Sequence, residues 1–252
     1  MSAGKIRLYV EHPLGEGQTL GLSRDQAHYL FGVMRRKLGE VVTLFNGRDG
    51  AWAAEVVEAG KRGGVLAVQA QTAPQRDPPD LWLCFAPIKK ARTDFIVEKA
   101  TEMGAARIQP VQTAFTNAER IRRDRLQAHA VEAAEQCGGT FVPPVADLTS
   151  LDALLRDWPA DRRLMFCDEA LASDDAQQAG PGVSAPSCSE GAAGAPWAIL
   201  IGPEGGFSDA ERARLRAMPQ AETVQLGPRI LRADTAAVAA LALWQQRLGD
   251  WR

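Results

Sequence analysis

Two short stretches carry the residue types from which a binding site could be built. The first is Gly202-Pro203-Glu204-Gly205-Gly206, inside AILIGPEGGFSDAERARL (198–215). The second is LGPRILRADTA (226–236). Each carries a Gly-Pro pair. Glycine lets backbone approach a ligand closely, because no Cβ intervenes. Proline fixes φ and removes an N–H, so the remaining backbone groups of a stiff loop point in set directions. Such loops suit recognition of a planar heterocycle by its edges, with Ile230 and Leu231 as apolar cover. Either loop alone reads equally as a tight turn between a strand and a helix. Two in one sheet, one with the carboxylate of Glu204 and the other with Arg229 and Arg232, point to a site.

The elements around the loops follow from the apolar pattern. Ala198–Ile201 is a buried strand, and Ser208 with Glu211 three residues on is a capping box that starts a helix. The segment ETVQLG (222–227) is the strand before the second loop, and ADTAAVAALALWQQRL (233–248) is a helix after it. Upstream, LWLCFAPI (81–88), RIQPV (107–111), RLMFCD (163–168) and WAILIG (197–202) read as strands. ARTDFIVEKATEMG (91–104) and residues 118–139 read as helices. Strands alternating with helices predict a parallel α/β sheet, in which ligands bind beyond the carboxyl ends of the strands.

Residues 5–72 differ. Short strands at 6–10, 41–45, 51–57 and 65–70, the turn NGRDG (46–50), and one helix capped by Ser23 and Gln26 and running to about Met34 suggest a small barrel. The proline-rich APQRDPPD (73–80) separates this domain, 1–72, from a second, 75–252. Residues 172–196, rich in Gly, Ala, Ser and Pro, read as a flexible insert containing an incidental Cys188.

The chain of 252 residues is 46% hydrophobic and 24% charged, with a net charge of -2, so any basic surface must be local. Its four cysteines form no CxxC pair, and its three histidines are scattered, which argues against a structural metal or a disulfide framework. No signal peptide or membrane-length apolar run is evident, and the expectation is a reduced, cytoplasmic protein. A P-loop, a GxGxxG fingerprint and a GxSxG elbow are all missing, which disfavours phosphate cradles, standard dinucleotide folds and serine hydrolases.

Together, IGPEGGFSDAE (201–211) and LGPRILRADTAAVAAL (226–241) resemble the bacterial 16S rRNA (uracil-N3)-methyltransferases, the RsmE family of the SPOUT class. The likeness extends to HYLFGVMRRKLGEVVTLFNGRDGAW (28–52), KKARTDFIVEKATEMGAARIQPV (89–111) and EAAEQCGG (132–139), and so covers nearly the whole chain. It implies an α/β SPOUT domain with a trefoil knot, preceded by a PUA-like β-barrel that holds RNA. It also implies a homodimer and S-adenosylmethionine as methyl donor, released as S-adenosyl-L-homocysteine. No metal or membrane enters, and the substrate would be a uridine of 16S rRNA in the small ribosomal subunit. The implied cofactor residues are Leu200, Ile201, Gly202, Gly205 and Gly206 with Leu226, Gly227, Ile230, Leu231, Arg232, Thr235 and Ala236. One departure stands out: where the family carries an arginine after its EQ helix, this chain has Gly138-Gly139, with Arg120, Arg122, Arg123 and Arg125 nearby.

Methylation at uracil N3 requires removal of a weakly acidic proton and stabilisation of the charge left behind. Arg232 is the catalytic candidate, because a guanidinium fork pairs with a uracil oxygen; a structural salt bridge to Glu204 or Asp234 is its other reading. Glu204 is the candidate proton acceptor. Arg35, Arg36 and Lys37 in the barrel, and Lys89, Lys90 and Arg92 after the first sheet strand, are the RNA-binding candidates. Trp52 reads either as a base-stacking platform or as a core residue. A non-catalytic RNA-binding factor, and a SPOUT enzyme acting on tRNA or on a ribose 2′-hydroxyl, are the rival readings.

Overall fold

The computed structural model describes residues 4–60, 62–118, 120–172 and 194–251. Most of the expected insert, including Cys188, lies outside the described residues. Contacts group the chain into two units: Met1–Asp77 with Ala134–Val142, and Pro78–Ala133 with Pro143–Arg252. The sequence expectation of a single cut did not include the return of 134–142 to the first unit.

The first unit holds β1 (Arg7–Tyr9), β2 (Thr19–Gly21), α1 (Arg24–Ala27), β3 (Val41–Phe45), β4 (Ala51–Ala59) and β5 (Gly64–Ala73). The Ser23–Gln26 capping box forms as read, and the helix then widens into a single π-type turn over His28–Val33. Asn46 shapes the β3–β4 turn by accepting from the N–H groups of Arg48 and Asp49. The five strands lie in the order β1-β3-β4-β5-β2. All neighbours are antiparallel except β1 with β3, and register shifts along β4–β5 curl the sheet in a PUA-like manner. Leu30, Val42, Leu44 and Leu66 fill its core. Trp52 packs against that core and donates its indole N–H to Asp49 O at 2.7 Å, so the packing reading describes its environment. Within this unit Glu135 accepts from Tyr9 N at 2.8 Å, and Gly139 O accepts from Arg7 at 2.6 Å. The glycine pair therefore serves backbone geometry: Gly138 takes a left-handed φ of 80° just past a helix end.

The second unit is an α/β layer structure. Its elements are β6 (Leu81–Phe85), α2 (Lys90–Glu102), β7 (Arg107–Gln112), α3 (Arg123–Cys137, of which residues to Ala133 belong here), β8 (Thr149–Ser150) and α4 (Leu151–Arg156). They continue with β9 (Arg163–Cys167), β10 (Trp197–Ile201), α5 (Asp209–Arg216), β11 (Ala221–Val224) and α6 (Ala233–Leu248). The six strands run parallel in the order β11-β9-β10-β6-β7-β8. Every residue of β10 is buried, as expected for a strand covered on both faces. The expected helix over 118–139 begins only at Arg123, and β2, β8 and α4 were not anticipated. The cap of α4 was nonetheless present in the sequence, as Ser150 accepting from Ala153 N.

Candidate active site

Three neighbouring strands end at the same edge of the parallel sheet. Beyond β9 come Asp168 and Glu169, beyond β10 Gly202-Pro203-Glu204, and beyond β11 Gln225 to Leu231. These segments, with Cys167, Ile201, Val224, Ala233 and Ala236, line one cleft. It is narrow, with about 60 Å³ of room for water. Among the described residues, the backbone of Leu226–Leu231 receives one hydrogen bond, from Gln225 Nε2 to Gly227 O at 3.2 Å. A run of backbone N–H and C=O groups without internal partners is what an incoming polar ligand edge requires.

Of the expected cofactor residues, Ile201, Gly202, Leu226, Gly227, Ile230, Leu231 and Ala236 line this cleft; Leu200, Gly205, Gly206, Arg232 and Thr235 do not. Strand and helix periods explain part of the division. Leu200 points to the opposite face from Ile201 and joins Phe166 and Phe207 in the core. Ala233 and Ala236 share one face of α6, which turns Thr235 elsewhere, while Arg232 is the extended N-cap residue before the helix. Cys167, Asp168, Glu169, Pro203, Val224, Gln225, Arg229 and Ala233 were not foreseen as cofactor lining.

The glycines of the first loop have partners of their own. A Cβ at Gly202 would stand 2.6 Å from the Phe207 ring, and one at Gly205 would stand 3.3 Å from Phe115 Cβ. At Gly206, where φ is 68°, a Cβ would overlap the Glu169 carboxylate. The loop is thus tight against protein groups. Gly227 differs: φ is 125° and nothing stands within 4 Å of a Cβ built there, so it leaves open space.

Charge is arranged in two layers. Beneath the cleft, Asp168 is fully buried and accepts from Arg212 Nε at 3.1 Å and Arg216 at 2.6 Å, while Arg212 also holds Glu169 at 2.5 Å. At the rim, Arg92 pairs with Glu204 at 2.6 Å and approaches Asp234 at 3.7 Å, so one side chain ties the first loop to the first turn of α6. The salt bridges weighed for Arg232 are therefore made by Arg92. Arg232 itself is the N-cap residue of α6, exposed, with no ion-pair partner among the described residues. Burial pushes the Cys167 thiol well above its ordinary range, so it lines the cleft as a neutral group.

The profile of the RNA methyltransferase domain matches residues 75–245, more than half of the chain and all of this cleft. The chain belongs to the RNA methyltransferase family. A second profile, of the RNA methyltransferase PUA domain, matches residues 22–68 in the curled sheet. The ribosomal RNA small subunit methyltransferase E of Rickettsia conorii is 28% identical over 94% of this chain and 93% of its own length. The protein of that name from Bacillus subtilis is 28% identical over 90% of each. Among solved structures, the ribosomal RNA small subunit methyltransferase E of Neisseria gonorrhoeae bound to S-adenosyl methionine superposes with a TM-score of 0.83, 27% identity, and 98% and 99% of the two chains covered. A methyltransferase of Legionella pneumophila in complex with the same cofactor gives 0.82 at 28% identity, covering 97% and 98%.

The RNA-binding candidates of this methyltransferase fall in two places, one in each unit. In the first, Arg35 has a left-handed φ of 53°, and Arg36 donates to Met34 O and lies 3.6 Å from Glu40. In the second, Arg92 is committed to Glu204 and Asp234, whereas Lys89 and Lys90 are exposed at the start of α2. No group of metal-ligating side chains occurs among the described residues, and no described helix is long and apolar enough to cross a membrane.

Proposed function

We propose that this protein transfers a methyl group from S-adenosylmethionine to N3 of a uridine in 16S rRNA of the small ribosomal subunit, and that it works as a cytoplasmic homodimer. The observation that carries the reading is the cleft at the ends of β9, β10 and β11, with its Leu226–Leu231 backbone bonded internally only at Gly227 O among the described residues, inside a chain of the RNA methyltransferase family. The same reading includes a SPOUT trefoil knot formed by the loops of this all-parallel sheet.

The residues fit the cofactor. Free backbone groups of Leu226–Leu231 match the edge of a purine, Ile201, Leu226, Ile230 and Leu231 provide apolar cover, and Gly227 leaves space for close approach. The lining carboxylates Asp168, Glu169 and Glu204 are each already held by an arginine, so the fit rests on shape and backbone groups rather than on these charges. When bound, S-adenosylmethionine supplies an electrophilic methyl group and is released as S-adenosyl-L-homocysteine.

The chain's own task is to present and activate the base. The N3 edge of a paired uridine is hidden, so the nucleotide must be unpaired or flipped. Loss of the N3 proton spreads negative charge over O2 and O4, and the unengaged guanidinium of Arg232 can pair with one of them. Glu204, held by Arg92, is the carboxylate that would take the proton. Mass spectrometry of 16S rRNA from cells lacking the protein, with and without add-back, tests the reading. One uridine should lose an N3 methyl group and regain it; an unchanged methylation pattern would refute the assignment.

A further inference from the structure

Next to the cleft lies a second cavity, which shares Pro203 and Glu204 as its wall and offers about 310 Å³. Pro87, Ile88 and Ala118 form its apolar side, and Lys89 and Asn117 its polar side. Neither the Lys89 ammonium nor the Asn117 amide has a hydrogen-bond or ion-pair partner among the described residues. We propose that this cavity seats the target uracil, with Lys89 and Asn117 donating to its two carbonyl oxygens; this deepens, and rests on, the reading of the protein as a uridine methyltransferase.

The shared wall supplies the direction. A base in the second cavity that presents N3 toward Pro203–Glu204 presents it toward the cleft, and N3 is the atom flanked by O2 and O4. Two free donors match two acceptors, and the apolar side suits the ring faces. A third cavity continues from the same Pro87, Ile88 and Ala118 and is lined by Lys90, Arg120, Arg122 and Arg125; Arg122 pairs with Asp124 and Arg125 with Asp94, which leaves Lys90 and Arg120 without an ion-pair partner among the described residues. A strand whose base enters the second cavity thus meets cations for its neighbouring phosphates.

The pairing also explains a choice of base. Cytosine N3 has a lone pair and no proton to lose, so its intrinsic reactivity does not exclude it. What excludes it is the amino group at C4, a donor where uracil has O4, facing the Lys89 ammonium, which can only donate; Asn117, whose amide could turn its oxygen to an amino group, takes O2.

The test uses the full-length protein, S-adenosylmethionine and small subunits from cells lacking it. The subunits carry either the uridine that the wild type methylates, located by mass spectrometry, or cytidine at that position. Asn117→Ala and Lys89→Ala should each lower kcat/KM on the uridine substrate about tenfold or more, with cofactor Kd by calorimetry unchanged within about twofold. The wild type should prefer uridine by about a hundredfold or more, and Lys89→Gln, whose amide oxygen can accept from the cytosine amino group, should narrow that preference to within about tenfold. The preference is the readout that a merely structural role would not move. Absence of transfer by the wild type would overturn the underlying reading, and the inference with it. Normal transfer and an unchanged base preference in all three variants would overturn the inference alone.

Discussion

Gly206→Ala separates two explanations of the Gly-rich loop. The first is that the glycine lets backbone meet the cofactor. The structure supplies a second: φ is 68°, and an added Cβ overlaps the Glu169 carboxylate, which Arg212 holds at 2.5 Å. The left-handed conformation costs a non-glycine residue about 1 kcal/mol. Relieving the overlap requires Glu169 to leave Arg212, and because the Glu169 side chain is 28% exposed the lost pair is worth at most about 1 kcal/mol. The total is about 2 kcal/mol, or a fall in Tm of roughly 4–8 °C for a chain of this size. In a Glu169→Ala background the overlap is gone and only the backbone cost remains, about 1 kcal/mol, leaving a coupling of about 1 kcal/mol between the sites. Urea or thermal unfolding of the four proteins, followed by circular dichroism, measures the cycle. Equal costs of Gly206→Ala in the two backgrounds would refute the steric argument. Unchanged stability with lost S-adenosylmethionine binding would place Gly206 against the cofactor after all.

Arg232→Lys should keep cofactor affinity within a few-fold and slow single-turnover transfer to the small subunit by about a hundredfold or more, since lysine retains the charge but not the fork; a near-normal rate would remove Arg232 from the chemistry. Among the three described cysteines, only the exposed Cys137 should react with iodoacetamide at pH 8 in the folded protein. Burial pushes the Cys84 thiol up to about 12 and the Cys167 thiol higher still, so both remain protonated there; rapid labelling of either, read by peptide mass spectrometry, would show that the sheet is more open than described.

Much of the scaffold was legible because its causes are local. The Ser23–Gln26 and Ser208–Glu211 boxes are hydrogen bonds between residues three apart, and both form. The α6 helix spans Ala233–Leu248 as its sequence pattern indicates, and the apolar runs at 81–85, 163–167 and 197–201 became the buried strands of the parallel sheet. The two loops also stood out, because glycine and proline mark a strand end wherever it lies in the fold. What remained hidden depends on which strands become neighbours. β9 comes to lie beside both β10 and β11, which brings Asp168 and Glu169 under a loop formed 33 residues later in the chain. The same arrangement decides that Gly206 faces Glu169, that Arg92 rather than Arg232 ties Glu204 to Asp234, and that Lys89 and Asn117 share a cavity with Glu204. Local sequence specifies hydrogen bonds and burial along one element. Strand order is set by the packing of the whole sheet, so the side chains that meet across its edge are a property of the tertiary fold alone.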